Sequence, residues 1–243
     1  MSLLSAPREV LYDAPTQSLR SLPINELKLL REASIGLALS KPLPVAAGAS
    51  LALLASNVTG STGFDLGVEI ALNAADTAEL SLLILAASAD ETNGAPAAQV
   101  TLTIAVGAVV GGLRAATLSA SPGVSNASFA IPAAELTLSL RVLVDRNLVE
   151  SFVGGGRAVV TSPVGKSGDM AAAKVFLVNK GSKALTVSSV QAFEMSCGRA
   201  SYPGYLYICL AYNHTHTHFQ SPKYICTTHE KSVVYSKRVA RTE

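Results

Sequence analysis

The chain is poor in aromatic and charged side chains. Its 243 residues include no tryptophan, aromatic residues amount to 5% and charged residues to 15%, whereas 49% are hydrophobic. So apolar a composition supplies enough surface for a large core and argues against a disordered chain. The formal net charge is only +2 and no lysine- or arginine-rich run is present, which argues against a nucleic-acid partner.

Cysteine is absent from the first 196 residues. The three cysteines are Cys197, Cys209 and Cys226, so the larger part of the chain has no disulfide framework. Cysteine usage therefore leaves the redox compartment open. The opening segment MSLLSAPREV has neither the basic start nor the apolar stretch of a signal peptide, so the sequence itself assigns no localisation.

One uncharged run, residues 95–113, is long enough to raise the question of a membrane span. Within it, Val100, Leu102, Ile104 and Val106 alternate with polar or small residues. A period of two is typical of a half-buried strand. We therefore expect a strand here and no membrane partner.

Three regions of different composition predict the organisation of the chain. Residues 1–33 predict an interdomain connector of one strand and one short helix, residues 34–196 a β-domain, and residues 197–243 a poorly ordered tail. Short apolar segments separated by turn signals predict about a dozen strands. They lie at 34–40, 48–56, 66–72, 79–87, 99–106, 111–118, 127–131, 136–144, 147–152, 157–162, 174–179 and 185–195. Without alternating helices, this spacing predicts an all-β antiparallel β-sandwich of two stacked sheets.

The connector is expected to hold the one helix of the chain. Ile24, Leu27 and Leu30 form a short apolar stripe at helical spacing after Pro23. We expect this stripe to be buried on the edge of the sandwich. Beyond Met195 the tail is rich in Tyr, His, Thr and Lys and has no sustained periodicity, so we expect it to be loosely ordered.

A compact group of charged residues lies between 140 and 163, in an otherwise apolar region: Asp145, Arg146, Glu150 and Arg157. Asp145 and Glu150 could be considered a catalytic pair. Their separation of five residues places them on opposite faces of one continuous strand, and only a turn near Arg146 would bring them together. We favour a structural signature, in which Asp145 caps the turn and Glu150 pairs with Arg157 or Arg146 across the sheet.

Gly154-Gly155-Gly156 lacks the Gly-Lys-Ser/Thr ending of a phosphate loop and predicts a tight β connection with positive φ. Asn57 and Asn126 begin the tripeptides Asn-Val-Thr and Asn-Ala-Ser, which fit the pattern of N-glycosylation acceptors. Both are glycosylation candidates if the protein is secreted.

His214, His216 and His218 alternate in the tail and would share one side of an extended chain. Imidazole is a usual zinc ligand, but this spacing matches no standard zinc site. We therefore predict no metal and no cofactor.

Three segments in a fixed order carry a family resemblance. They are PREVLYDAPTQSLRSLPINELKLLR at 7–31, LRVLVDRNLVESFVGGGRAVVTS at 140–162 and KVFLVNKGSKALTVSSVQAFEM at 174–195. Together they resemble the connector, the signature strands and the closing hairpin of the C-terminal β-sandwich of glycoside hydrolase family 32, which comprises invertases, β-fructofuranosidases and fructan hydrolases. Residues 40–135 are similar only in their strand pattern.

The resemblance implies that the chemistry lies outside this chain. Members of the family place catalysis on an N-terminal propeller with Asn-Asp-Pro, Arg-Asp-Pro and Glu-Cys motifs, and none of these occurs in the sequence. Retaining hydrolysis needs two carboxyl groups about 5 Å apart, and no residue inherits those roles by motif. We therefore expect no catalytic residue. The resemblance also implies a vacuolar or extracellular parent protein.

The sequence thus predicts a non-catalytic sandwich module of a protein that hydrolyses sucrose or fructan. Its role would be structural support and contact with a catalytic propeller or a dimer partner, with a fructoside or other carbohydrate as possible ligand. Two alternatives stay open: a lectin-like carbohydrate-binding module, and a truncated gene product without independent activity. The shortage of aromatic residues argues against the lectin-like alternative, because sugar sites often use exposed aromatic rings.

Overall fold

The computed structural model describes residues 6–55, 63–72, 77–86, 88–89, 98–122, 125–145, 148–164, 174–195, 226–229 and 232–235. The chain divides into two units, Met1–Ser196 and Cys197–Glu243. In the second unit, Cys226–His229 and Ser232–Tyr235 pair as a two-stranded antiparallel sheet. The rest of the predicted tail lies outside the described residues, so its loose order stays a prediction.

The described residues of the first unit lie mostly in strands. In chain order they are β1 Arg8–Asp13, β2 Ser18–Pro23, β3 Arg31–Ser34, β4 Leu43–Val45, β5 Ser50–Ala52, β6 Gly63–Ala71, β7 Ala78–Ala86, β8 Ala98–Val110, β9 Leu113–Ser121, β10 Ser125–Pro132, β11 Thr137–Asp145, β12 Leu148–Val153, β13 Ala158–Pro163, β14 Lys174–Asn179 and β15 Leu185–Met195. One 3-10 helix, Asn25–Leu30, lies between β2 and β3. No helix in the described part of the chain is long and apolar enough to cross a membrane.

Two antiparallel sheets are stacked as the predicted sandwich. The six-stranded sheet has the order β10-β9-β8-β7-β14-β5, and the seven-stranded sheet has the order β13-β12-β11-β6-β15-β3, with β4 also paired to β15. The connector hairpin β1–β2 forms a separate two-stranded sheet. The prediction of an all-β antiparallel sandwich is confirmed.

The core lies between the two sheets and is formed by the apolar side chains that the strands direct inward. Alternation of apolar and polar positions is clear in β6, β8 and β11. Leu80, Leu82 and Ile84 of β7 are fully buried, as are Leu66 and Ile70 of β6 in the opposite sheet. The alternating residues of β8 that predicted a strand between 95 and 113 also belong to this core. Where a strand alternates, the side chains at the intervening positions face away from the core. On the seven-stranded sheet this outer face contacts the connector.

The strand predicted at 34–40 is wrong. Ile35 and Gly36 both donate their backbone N–H to Ala192 O of β15, whereas Leu37 N donates to Leu53 O beside β5. The segment therefore crosses from one sheet to the other. Its alternating apolar residues enter the core from this crossing, which explains why the sequence pattern resembled a strand.

The predicted connector helix exists, but it is a single 3-10 segment without a fully buried residue. Ile24, Leu27 and Leu30 are half-buried, so the predicted burial of the apolar stripe is only partial. Leu29 is 62% exposed. The helix therefore contributes little to the attachment of the connector, and other contacts must fix it.

Candidate functional site: the connector seam

The outer face of the seven-stranded sheet carries buried polar residues where a solvated face would be expected. In β12, Val149 and Val153 point into the core, whereas Glu150 and Phe152 point away from it and are nevertheless buried. The connector, residues 6–34, covers them. We use the name connector seam for the charged contacts between residues 6–34 and this face, which fall into three groups.

The first group is centred on Glu150. Ala6 donates its backbone N–H to Glu150 Oε2 at 2.6 Å, and Arg8 Nη2 donates to Glu150 Oε1 at 2.5 Å. The Arg8 guanidinium also lies 5.3 Å from the centroid of the Phe152 ring. Both carboxylate oxygens of a buried acid are thus occupied by the start of the connector, which is what a buried charge requires.

The second group joins the end of β1 to the turn before β13. Arg157 Nε donates to Asp13 Oδ2 at 2.7 Å, and Arg157 Nη1 donates to Glu135 Oε1 at 2.9 Å. Arg20 Nε donates to Gly155 O at 2.7 Å. The Ser21 backbone N–H donates to Gly156 O at 2.8 Å. The glycine turn thus contacts β2 directly. Arg157 binds Asp13, the last residue of β1.

The third group is centred on Asp65 of β6, which is fully buried. Arg31 Nε donates to Asp65 Oδ2 at 2.8 Å. Arg141 donates from Nε to Oδ1 at 3.0 Å and from Nη2 to Oδ2 at 2.8 Å, a bidentate contact. The Arg31 guanidinium also stacks 4.6 Å from the centroid of the Phe193 ring. This group fixes the end of the connector, where it enters the seven-stranded sheet as β3.

The hydrogen bonds of the second group change the proton affinity of its members. Hydrogen bonds from Arg157 and then Thr16 hold the pKa of Asp13 below its ordinary value, although burial opposes this. Burial opposes the charge of Arg157, but the hydrogen bonds to Asp13 and Glu135 raise its pKa above the ordinary value. Both groups are therefore stabilised in their charged forms.

Because the pKa of Asp13 is lower in the folded protein than in the unfolded chain, its contribution to stability should depend on pH. The contribution is fully present above the ordinary value of 3.8 and is lost as the pH falls through the lower folded value. The destabilisation caused by Asp13→Asn should therefore be constant near neutral pH and shrink below about pH 4. Urea unfolding of both proteins as a function of pH tests this. A difference that does not change with pH would contradict it.

The structure gives two residues of the predicted signature other partners than expected. Glu150 does not pair with Arg157, because the connector supplies Arg8 to Glu150 and Asp13 to Arg157. Asp145 is the exposed last residue of β11, and Arg146 lies outside the described residues. The partners differ from the predicted ones because residues 6–34 fold back over β12 and β13.

Asp145 and Glu150 do share one face of the sheet, because the chain reverses between β11 and β12. Asp145 is opposite Leu148, so Glu150 occupies a diagonal position, with a typical separation of roughly 7–8 Å. Glu150 is buried and both its oxygens accept hydrogen bonds from the connector. The two carboxyl groups are therefore not arranged as an open acid and nucleophile.

Asp65, Arg141 and Arg31 belong to this site, although the sequence did not predict them as members of one. Arg141 and Arg31 lie within the segments that carried the family resemblance, but nothing in their spacing indicated a shared partner. Asp65 could have been noticed as a single acid among the apolar residues of a strand, since a buried carboxylate needs a cation. Arg8 and Asp13 likewise lie in the connector, for which the sequence predicts only a strand and a short helix.

The remaining predicted features are only partly within the described residues. Gly154, Gly155 and Gly156 have φ of 61°, 64° and 83°, so the predicted turn with positive φ is confirmed. Asn126 is exposed on β10, whereas Asn57 lies outside the described residues.

For the histidines of the tail, the absence of a metal site stays a prediction. His214, His216 and His218 all lie outside the described residues. Within the ranges that are described, no group of three or more His, Cys, Asp or Glu side chains could hold a metal ion.

A shallow cleft lies on the outer face of the six-stranded sheet. Its lining includes the small residues Ala105, Gly107 and Ala115 and the polar residues Glu79 and Thr117. No aromatic side chain lines it. The cleft therefore gives the lectin-like alternative no support, since a sugar ring would find no aromatic surface there.

Curated relatives match a short part of this chain. A β-fructofuranosidase, insoluble isoenzyme 5, of Oryza sativa subsp. japonica is 38% identical over 61 residues, which is 25% of this chain and 11% of the relative. A fructan 1-exohydrolase of Aegilops speltoides is 41% identical over 63 residues, with the same shares of 25% and 11%. The match thus spans about a tenth of the length of these relatives.

The solved structure of fructan 1-exohydrolase IIa from Cichorium intybus has the same fold, with a TM-score of 0.59 at 19% identity. The match covers 79% of this chain and 40% of that one. A family profile described as "Glycosyl hydrolases family 32 C terminal" matches residues 38–194. Because this match takes in more than half of the residues, and because the fold agrees, the chain belongs to glycoside hydrolase family 32, of which it contains the C-terminal β-sandwich domain.

Proposed function

We propose that this chain is the non-catalytic module of a protein that hydrolyses sucrose or fructan, and that its function is to hold the connector to the catalytic propeller in one fixed position. The observation that carries the proposal is the connector seam. Glu150, Arg157 and Asp65 attach the connector at three separate points. A segment held at three points cannot act as a flexible tether, so it sets the orientation of whatever precedes it.

The energetics of the seam support this role. Isolated surface ion pairs are worth little, and a buried pair is weak evidence for net stability. Removal of one partner from a buried pair is nevertheless costly, because it leaves an uncompensated charge. The connector therefore has a strong preference for one position, since its displacement would leave Glu150 without a cation. It would also leave Asp65 with Arg141 alone and Arg157 with Glu135 alone.

The expected absence of catalysis can be tested directly. Purified chain, incubated with sucrose and with inulin, should release no fructose above the blank. Glu150 is buried and accepts hydrogen bonds from Ala6 and Arg8, so it is not available to a substrate. Hydrolysis that Glu150→Gln abolishes would overturn the proposal and assign Asp145 and Glu150 to an active site.

Amide hydrogen exchange measures whether the connector is held in one position. The Ser21 amide, which donates to Gly156 O, should be strongly protected in the wild-type chain. Arg157→Gln should increase its exchange by at least about tenfold while leaving core amides such as that of Leu82 unchanged. If the Ser21 amide exchanges freely in the wild type, the connector is a flexible tether and the proposed role fails.

A further inference from the structure

The outer face of the six-stranded sheet carries an acceptor tripeptide for N-linked glycans, Asn126-Ala127-Ser128, in the first half of β10. Asn126 and Ser128 are both exposed, whereas Ala127 and Phe129 pack against the core. Because side chains two positions apart on a strand share a face, Asn126 and Ser128 project together from the outer face. The two groups that define the acceptor are therefore side by side and open to solvent.

The neighbouring outer positions carry small, uncharged side chains. Ser119 of β9 is opposite Asn126, and Thr117 is opposite Ser128. Thr103 is the next position along the sheet, on β8 opposite Ser119. None of these side chains is charged or larger than threonine. The folded sheet therefore has room for a bulky substituent on the side-chain nitrogen of Asn126.

The start of β10 is an exposed sheet edge. β10 is the terminal strand of the six-stranded sheet and, within the described ranges, is hydrogen-bonded to β9 alone. Natural edge strands are commonly protected by lysine, proline or a bulge. β10 has no lysine, its proline is its last residue, Pro132, and its register with β9 is unbroken. Since no residue of 125–128 is buried, a hydrated glycan at Asn126 would supply the missing protection.

We propose that Asn126 is the attachment site of an N-linked glycan, which extends from the outer face of the six-stranded sheet and covers the exposed start of β10. The donor is an oligosaccharide linked to a lipid through diphosphate. Asn126 Nδ2 forms a bond to the anomeric carbon of the oligosaccharide, the bond from that carbon to the diphosphate oxygen breaks, and the amide releases one proton. The Ser128 hydroxyl completes the tripeptide that the transferase recognises.

The glycan would lie on the opposite side of the sandwich from the connector seam. Asp65 and Glu150 of the seam belong to β6 and β12 of the seven-stranded sheet, whereas Asn126 belongs to the six-stranded sheet. The hydrophobic core separates the two outer faces. The glycan therefore leaves the seam uncovered, and this inference does not depend on the proposed role of the connector.

Site occupancy tests the proposal on the full-length chain, directed into the secretory route of a eukaryotic cell by a cleavable signal peptide. Peptide N-glycosidase in heavy-oxygen water converts each glycosylated asparagine into a labelled aspartate, which peptide mass spectrometry locates. Asn126 should be labelled in most molecules recovered from the cells and the medium. The mapping distinguishes it from Asn57 and Asn213, which begin the other acceptor tripeptides of the sequence. An unlabelled Asn126 would overturn the proposal.

Ser128→Ala and Ser128→Thr are a matched pair of variants at one exposed position. Alanine removes the acceptor hydroxyl and should lower the labelling of Asn126 by at least about tenfold, whereas threonine keeps the hydroxyl and should retain the labelling. Circular dichroism verifies that both variants are folded. Labelling that survives Ser128→Ala would overturn the proposal, because it would arise from deamidation and not from a glycan.

Removal of the glycan from the folded chain tests its position. The Ser21 amide, which donates to Gly156 O in the seam, should be equally protected from exchange before and after treatment with the glycosidase. A Ser21 amide that exchanges faster once the glycan is removed would contradict the placement of the glycan on the face opposite the seam.

Discussion

Replacement of Asp65 by asparagine is expected to lower the free energy of unfolding by about 3 kcal/mol. Asp65 is fully buried and is the shared counterion of Arg31 and Arg141. Asparagine has almost the same shape, but it carries no charge and turns one acceptor into an N–H donor that faces a guanidinium. Two cations would then lie close together without a counterion, the most costly way to break a buried pair.

This expected loss of stability lies at the lower end of the range for breaking a buried ion pair. Both arginine side chains retain 19% exposure, so water can partly solvate them after the substitution. Urea unfolding followed by circular dichroism measures the loss, since the chain has no tryptophan for fluorescence. Glu69→Gln on the same face of β6 is exposed and should change stability by less than about 0.5 kcal/mol. Equal effects of the two substitutions would contradict a special role of Asp65.

Much of the sandwich could be predicted because its strands carry a local signal. Val100, Leu102, Ile104 and Val106 alternate in the sequence, and all four are buried in β8. This pattern depends only on residues two positions apart, which a sequence displays directly. The crossing segment around Gly36 was wrongly predicted as a strand for the same reason. Its large apolar residues recur at every second position, but its backbone is not paired with one strand along its length.

The connector seam could be predicted only in part because its contacts are not local. Arg8 and Glu150 are separated by 142 residues, and Asp13 and Arg157 by 144. Local spacing indicated that Glu150 needs a cation, and the nearest cations in sequence were the natural choice. The fold instead returns the connector across β12, so the partners follow from topology, which a single sequence does not display.

Gly156→Ala is the second substitution with a large expected effect, and it tests the docking of the connector onto the glycine turn. Gly156 has a φ of 83°, and an added Cβ would lie 2.4 Å from Ser21 O of β2. Alanine therefore suffers both an unfavourable backbone conformation, about 1–2 kcal/mol, and a collision with connector backbone that cannot rotate away. We expect a total loss of about 3 kcal/mol and a release of the Ser21 amide to exchange.

Gly112 separates these two causes. Its φ of 82° is almost the same, but an added Cβ there meets nothing within 4 Å. Gly112→Ala should therefore cost only the conformational part, about 1–2 kcal/mol, and leave the Ser21 amide protected. The excess loss in Gly156→Ala then measures how firmly the connector is held against the turn. If both variants lose the same stability and both retain protection at Ser21, the connector yields to the added methyl group, and the seam is too soft to orient a preceding domain.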